Sequence, residues 1–407
     1  MASPYIIHQQ TVPKPSELKR LLRHFPIPKD ESGKRVHFDY GTAGFRYHHT
    51  LLPPIMVRIA IFAAIRSSAL DGEPVGIMIT ASHNPERDNG IKLSDSNGGM
   101  LPIKWEKMAT RFANSDEIED ADAFAQGGKA MVVHIGRDTR SHSLPLSQLA
   151  IRAAVAMGAK VIDHGCVTTP QLHYYVLRSN PHNMPNALVC GSSGSSFEKD
   201  YMESIIGSYI SLLSSNISKG SLKGNSGDGA LKRKLLVDCA CGVGGLKISL
   251  LNEMLKRFER EGGILLQEPL VELVPINLPG DGPLNEKCGA EYVQKQQKLP
   301  TIYTDCDENK IPMTYVASLD GDADRIVFHY KDEQGRLVLL DGDKIAVLVS
   351  SFLQEEILAL SAAVPEAKHI RCGIVQTAYA NGSSTSYLKV GSSTNLNSWL
   401  SLFFVKL

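Results

Sequence analysis

Two short stretches of the chain carry residue types that do chemistry. Residues 80–93, TASHNPERDNGIKL, place Ser82 beside His83 and Asn84, with Asn89, Gly90 and Lys92 close behind. The preceding residues 75–80, VGIMIT, are apolar on both faces and follow a turn-like segment at 71–74, which predicts a buried strand ending at Thr80. Ser82 is then expected in a turn-prone loop at the strand's carboxyl end, its hydroxyl exposed, where open α/β sheets place ligands. Lys92 is near enough in sequence to return to the same pocket. A polar Asx-rich turn is the competing reading, and this loop alone leaves both open.

The second stretch is 320–325, DGDADR, which sets Asp320, Asp322 and Asp324 at alternate positions after an apolar run. Such a set converges oxygen ligands on one hard cation. An EF-hand fails on position, because Arg325 stands where that loop needs Gly and Lys331 where it needs a bidentate Glu. A solvated acidic turn is the other reading, but three carboxylates this close repel one another without a cation. Magnesium suits the set better than zinc, since no His or Cys accompanies it. Three carboxylates leave a position for a phosphate oxygen, and a phosphoserine at Ser82 would supply it as a fourth metal ligand.

The elements that must position these residues alternate. Residues 131–135 read as a strand ended by Gly136, 146–157 as a helix and 161–163 as a strand, completing a β-α-β unit. Residues 235–239 are strand-like, the glycines of 241–245 turn the chain into a helix through Leu255, and 264–267 is the next strand. Strands at 315–319 and 326–330 flank the acidic turn; a helix over 344–358 capped by 341–343 and a strand at 373–377 follow. The fold class is α/β, as successive α/β domains. Polar stretches at 179–196 and 214–229 mark boundaries, giving domains at 1–180, 181–335 and 336–390, with a divergent tail at 391–407.

The 407 residues exceed one compact core, and 43% apolar with 21% charged residues is ordinary for a globular protein. Lys plus Arg equals Asp plus Glu at 43 each, so no net field attracts nucleic acid or an anionic membrane, and neither partner is expected. The seven cysteines are scattered and odd in number, which argues against a disulfide framework. Cys239 and Cys241 lack a second Cys/His pair and read as buried structural thiols. No signal peptide and no apolar run approaching the roughly 20 residues of a membrane span is read, so a cytoplasmic location is expected. Gly242–Gly245 reads as tight strand-to-helix packing, Asp341 and Asp343 as helix-capping residues, Arg137 and Arg140 as turn residues that stabilise the first domain, and His48–His49 is given no role.

Taken in order, these motifs resemble the α-phosphohexose mutases. TASHNP followed by DNGIK is similar to that family's phosphoserine loop and DGDADR to its magnesium loop. GTAGFR at 41–46 resembles its N-terminal Arg-bearing loop and GRDTR at 136–140 another of its elements, while GIVQTAYANGSST at 373–385 resembles the phosphoacetylglucosamine mutase branch. The resemblance covers roughly residues 30–390. It implies that phosphorylated Ser82 donates to a phosphorylated hexosamine and is recharged from a hexosamine bisphosphate that serves as intermediate and activator. For this branch it implies interconversion of the 6- and 1-phosphates of N-acetylglucosamine on the way to the UDP-sugar. Within it Mg2+ sits on Asp320, Asp322 and Asp324, Lys92 is the candidate proton acceptor, which requires a lowered pKa, and Arg46 and Arg325 hold phosphate oxygens or orient carboxylates. His83 assists or makes a structural hydrogen bond.

The family normally has four domains. The match fades after about Leu388, and loops of the form E-A-N-G-H and R-P-S-G-T-E, which grip sugar and phosphate, are not found. The expectation is therefore an incomplete third domain, an absent fourth and impaired mutase activity. The competing readings are another phosphohexose mutase, a non-catalytic fragment that binds magnesium or a partner, and a metal-dependent phosphatase acting through Ser82.

Overall fold

The computed structural model describes residues 6–42, 44–116, 130–183, 196–218, 233–261, 271–301, 315–364, 366, 370, 373–376, 380–394 and 403–406. The chain divides into two compact units, Met1–Arg325 and Ile326–Leu407. The boundary expected near 180 falls inside the first unit, between its two sheets.

The first unit begins with a mixed sheet in the order β1-β6-β5-β3-β4-β2, with β1 at Ile6–His8, β2 at Phe45–His48, β3 at Val75–Ile79, β4 at Asp88–Ser94, β5 at Val132–Arg137 and β6 at Lys160–Cys166. β3, β5 and β6 run parallel, and β4 returns antiparallel to β3 with Lys92 opposite Met78. All five β3 residues are buried. Val75, Ile77 and Ile79 join one core and Met78 another, the period-2 alternation of a strand covered on both faces. Helix α2, Leu52–Ala69, and helix α4, Ser143–Ala156, cover one face, and α5, Thr169–Ser179, covers the other. Helices α1 (Pro15–His24) and α3 (Ile103–Ala113) pack around α2.

Three sequence expectations change here. β5 continues through Gly136 to Arg137, because it pairs with β3 and β6 along that length. Asn89 and Gly90 lie in strand β4, not in a loop, because β2 pairs with them, Tyr47 opposite Asn89 and Arg46 opposite Gly90. Among the described residues two helices, His49–Ala69 and Gly342–Ala363, are long and apolar enough to cross a membrane, each with a mean hydropathy of 1.5. The first is 83% buried, so packing in the core accounts for its apolarity.

A second sheet of the first unit has β7, Arg233–Asp238, paired in parallel with both β8, Val271–Ile276, and β9, Tyr315–Leu319. Helix α6 (Phe197–Ser218), α7 (Gly244–Glu261) and α8 (Ala290–Gln296) accompany it. The strand expected at 264–267 lies outside the described residues. A Cβ on Gly245 would fall 2.7 Å from Pro279 Cδ, the close strand-to-helix packing that those glycines permit.

In the second unit β10, Ile326–Lys331, and β11, Leu337–Leu340, form an antiparallel hairpin. It leads into α9, Gly342–Ala363, whose N-cap Asp341 accepts from Lys344 N. β12, Gly373–Gln376, pairs in parallel with β13, Phe403–Lys406, and α10 spans Gly382–Thr394.

Candidate active site

The carboxyl ends of β3 and β9, strands from the two sheets of the first unit, meet. β3 ends at Ile79, and the Thr80 hydroxyl accepts from Ser82 N at 2.9 Å, turning the chain. Ser82 adopts φ 54°, a left-handed conformation that a side-chain-bearing residue holds only when its surroundings fix it. The expected exposed serine is instead 2% exposed, and its Oγ donates to Asp320 Oδ2 at 2.6 Å. Burial follows from this contact, which no local reading of the loop contains.

β9 delivers Asp320 at its end. Asp320 Oδ1 accepts from the backbone N–H groups of Asp324 and Arg325, both at 3.2 Å, so the motif coils around its first carboxylate. Gly321 has no room for a side chain, since a Cβ there would lie 2.8 Å from Ser82 O and 3.0 Å from Asn285 Nδ2. The ligand oxygens of Asp320, Asp322 and Asp324 lie within 4.8 Å of one another. Asp320 and Asp322 are wholly buried, and Asp322 Oδ1 has no hydrogen-bond partner. Burial, reinforced by Asp322 and Asp324, pushes the Asp320 carboxyl up to about 7. A mutually repelling set of carboxylates, two of them buried and Asp324 open to solvent, with an orphaned oxygen, fits a hard divalent cation.

Lys92 reaches this cluster from β4, with Nζ donating to Asp322 Oδ2 at 2.7 Å and Asp324 Oδ2 at 2.8 Å. Burial lowers its pKa, but the two carboxylates outweigh it and the net shift is upward. That direction favours the ammonium form, opposite to the lowered pKa that a proton acceptor requires. Arg325 orients carboxylates, its Nε donating to Asp320 at 3.0 Å and its Nη1 to Glu291 at 2.8 Å, while Nη2 is buried without a partner. Arg46, on β2 opposite Gly90, likewise has a buried, unpartnered Nε; Ala43 of its loop lies outside the described residues. His83 Nδ1 lies 3.5 Å from Ser82 Oγ. Burial lowers its pKa to about 4, with Arg325 and Arg46 adding to the effect, so it is neutral near pH 7.

Several residues that sequence reading did not assign complete the site. Thr169, at the start of α5, donates its hydroxyl to Asp322 Oδ2 at 2.6 Å. It is placed there by a capping box between Thr168 and Gln171. Arg140 is 3% exposed and acts from inside the loop. Its Nη2 donates to Ser82 O and Asn84 O, its Nη1 to Pro85 O and Asp88 O, and its Nε to Asp138. Asn285 Nδ2 reaches the same two carbonyls, Ser82 O at 2.8 Å and Asn84 O at 3.2 Å, from the second sheet's loops. Asp238, at the end of β7, gathers those loops by accepting from Ala240 N, Asn277 Nδ2, Gly289 N and Ser318 Oγ. The histidine pair is also placed: the His49 ring stacks on His142 at 4.4 Å, away from the triad's hydrogen bonds.

Comparison with known proteins agrees with this geometry. The model for the phosphoglucomutase/phosphomannomutase alpha/beta/alpha domain I matches residues 52–119 and 121–208, and that for phosphoacetylglucosamine mutase AMG1 domain III matches residues 341–398. The chain is 40% identical over 360 residues to the phosphoacetylglucosamine mutase of Mus musculus and 39% identical over 359 residues to that of Homo sapiens. Each match covers 86% of this chain and 58% of the relative, so the chain spans a little over half the length of these relatives. A crystal structure of the Aspergillus fumigatus enzyme with GlcNAc-6P and magnesium superposes with a TM-score of 0.73 at 33% identity, covering 96% of this chain and 65% of that one. The apo-form of an N-acetylglucosamine-phosphate mutase gives 0.73 at 31% identity, covering 97% of this chain and 77% of that one. With the serine loop and the acidic loop joined as described, the chain belongs to the phosphoacetylglucosamine mutase family of the α-D-phosphohexomutase superfamily.

Proposed function

We propose that this protein interconverts N-acetylglucosamine 6-phosphate and N-acetylglucosamine 1-phosphate, a step toward UDP-N-acetylglucosamine, by phosphoryl transfer through Ser82. The observation that carries the reading is the 2.6 Å contact between Ser82 Oγ and Asp320 Oδ2 inside a cluster of three carboxylates. It joins a nucleophile to a cation site, the two parts that phosphoryl transfer requires. The names of the relatives support it, as does the related structure in complex with GlcNAc-6P and magnesium.

Asp320, Asp322 and Asp324 would hold Mg2+, which neutralises charge on a phosphoryl group carried by Ser82. In the transfer, the bond between phosphorus and Ser82 Oγ breaks as a bond to a sugar hydroxyl oxygen forms. The hexosamine bisphosphate so formed returns its other phosphate to Ser82, and added bisphosphate recharges free enzyme. The unpartnered Nε of Arg46 and Nη2 of Arg325 are donors for phosphate oxygens. His83, neutral and adjacent to Ser82, takes the proton of the attacking hydroxyl in preference to Lys92, which its carboxylate partners keep charged.

The test is phosphorus NMR of N-acetylglucosamine 6-phosphate with the protein, Mg2+ and catalytic hexosamine 1,6-bisphosphate, with glucose 6-phosphate and mannose 6-phosphate in parallel. The expected result is an anomeric phosphate signal from the acetylated sugar, abolished by Ser82→Ala. Turnover of glucose or mannose phosphate alone would assign another phosphohexose mutase. Release of inorganic phosphate without a sugar 1-phosphate would make the protein a phosphatase.

A further inference from the structure

Two thiols lie buried beneath the loop that carries Asn285. Ala240, Cys241 and Cys288 form a packed cluster at the end of β7, with Cys241 7% and Cys288 3% exposed. Neither is in a disulfide, and both pack in that one cluster. Cys239, the other cysteine of this turn, is directed elsewhere, its Sγ donating to Val237 O at 3.3 Å.

The turn that presents Cys241 is strained. Ala240 and Cys241 adopt φ 55° and 54° in succession, and Asn285 and Lys287 on the facing segment adopt 61° and 53°. Such conformations persist only where surrounding contacts over-determine them. Here Cys241 N donates to Asn277 O at 2.8 Å, Gly242 N to Cys239 O at 2.8 Å and Asn285 N to Ala240 O at 3.0 Å. The residue over the Cys241 thiol is Gly282, which is exposed; a Cβ there would lie 3.8 Å from Cys241 Sγ. The thiol is thus covered by a residue with no side chain, which leaves a small oxidant a short path to it.

We propose that Cys241 and Cys288 are a reversible dithiol/disulfide pair, whose oxidation fixes the segment that holds Asn285 against the Ser82 loop. Cys241 lies beneath exposed Gly282 and is the more accessible of the two at 7% against 3% exposed, so it is the thiol that meets the oxidant and attacks as its thiolate. The neighbouring Cys288 side chain draws the Cys241 thiol below its usual pKa, in the same direction. With a hydroperoxide as oxidant, its sulfur takes one peroxide oxygen as the O–O bond breaks, giving a sulfenic acid and water. The Cys288 sulfur then displaces that hydroxyl as water. Two thiols lose two electrons and two protons, and hydrogen peroxide takes both to give two waters. The two sulfurs of the packed cluster draw together to about 2.05 Å, tightening a segment that already bonds Ala240.

The experiment treats the whole protein with hydrogen peroxide, alkylates free thiols and maps peptides without reduction. The expected result is a linked peptide pair containing Cys241 and Cys288, lost on dithiothreitol and absent from Cys288→Ser and Cys241→Ser. Amide exchange across 282–290 is expected to slow severalfold on oxidation and to recover on reduction. Full alkylation of both cysteines after peroxide, a Cys239–Cys241 linkage, or oxidation to sulfinic acid without linkage would each overturn the proposal. The linked peptide is read on wild-type protein without a sugar substrate, so this test stands apart from that of the mutase reading.

Discussion

Ser82 Oγ and Asp320 Oδ2, 238 positions apart in sequence, share a 2.6 Å hydrogen bond. That bond puts the hydroxyl directly on a carboxylate whose own charge is unfavourable where it sits. Asp320 is fully buried beside two further carboxylates, with Lys92 and Arg325 supplying the nearby positive charge. The same arrangement that costs stability is the one that fits a divalent cation.

The first prediction concerns that cost. Asp320 is raised in the folded protein from 3.8 to about 7, so its protonated form is favoured by folding. The resulting stability is present below pH 4 and is lost as pH rises through 7. In chelator at pH 8, Asp320→Asn is expected to raise the urea midpoint. Mg2+ is expected to stabilise wild type, by about 2.7 kcal/mol at a hundredfold excess over its Kd, with little effect on the variant. Ser82 phosphorylation from a hexosamine bisphosphate should fall about 10²- to 10³-fold in Asp320→Asn. A variant that keeps both the Mg2+ increment and the phosphorylation rate would remove Asp320 from the cation site.

Arg140 gives a second prediction. Its guanidinium is buried, ion-paired to Asp138 and bonded to the carbonyls of Ser82, Asn84, Pro85 and Asp88. Lysine keeps the charge but lacks the planar fork that reaches several carbonyls at once. Arg140→Lys is expected to cost about 1–3 kcal/mol in denaturant unfolding, the scale of buried carbonyls left without a donor. Amide exchange should quicken first across 81–88. Uniform quickening over the first sheet would instead assign Arg140 to the general core.

The parts of the site that were legible are those written contiguously. Three aspartates at alternate positions announce a cation site, and a serine after a buried apolar run announces a loop at a strand end. Ser82's burial was not legible, because Asp320 arrives from another sheet. Thr169, Asn285 and Glu291 were missed for the same reason: each is an ordinary polar residue in its own neighbourhood and reaches the candidate site through a partner more than thirty positions away. Lys92 stands out in the sequence as a candidate, but its ionisation depends on two carboxylates that only the fold brings to it. Strand ends moved by a few residues wherever pairing outran local pattern, as at Gly136 and at Asn89.

Asn285 is the third test. Its side-chain N–H groups reach Ser82 O and Asn84 O from a loop fixed by Asp238. Asn285→Ala removes two donors to a loop whose serine is held in a left-handed conformation. The rate of Ser82 phosphorylation is expected to fall about 10- to 100-fold, matching roughly 1–3 kcal/mol for the loss of buried hydrogen bonds. Mg2+ affinity, measured by calorimetry, should be unchanged, because Asn285 touches none of the three aspartates among its described bonds. Parallel loss of both properties would mean that the substitution disturbs the acidic loop itself.

The last prediction is a pH dependence set away from the site. His134 Nδ1 and His164 Nε2 lie 2.8 Å apart, and His134 Nε2 lies 3.0 Å from Ser179 Oγ, all under the first sheet. Ser179 spends its one proton on Val176 O, so it accepts from His134 Nε2–H. His134 Nδ1 then accepts from His164 Nε2–H, and both rings are neutral. Burial lowers both pKa values, His134 to about 3 and His164 well below its usual value. A histidine depressed in the folded state binds its proton more readily in the unfolded chain. The stability these two rings contribute is therefore full above about pH 6.5 and declines as pH falls toward 3, opposite in sign to the Asp320 contribution, with a slope near 1.4 kcal/mol per pH unit for each proton taken up. Urea midpoints between pH 4 and 8 measure the slope. His134→Gln is expected to lower stability at pH 8 and to flatten the decline below pH 6.5. An unchanged slope in that variant would place the acid sensitivity in other groups.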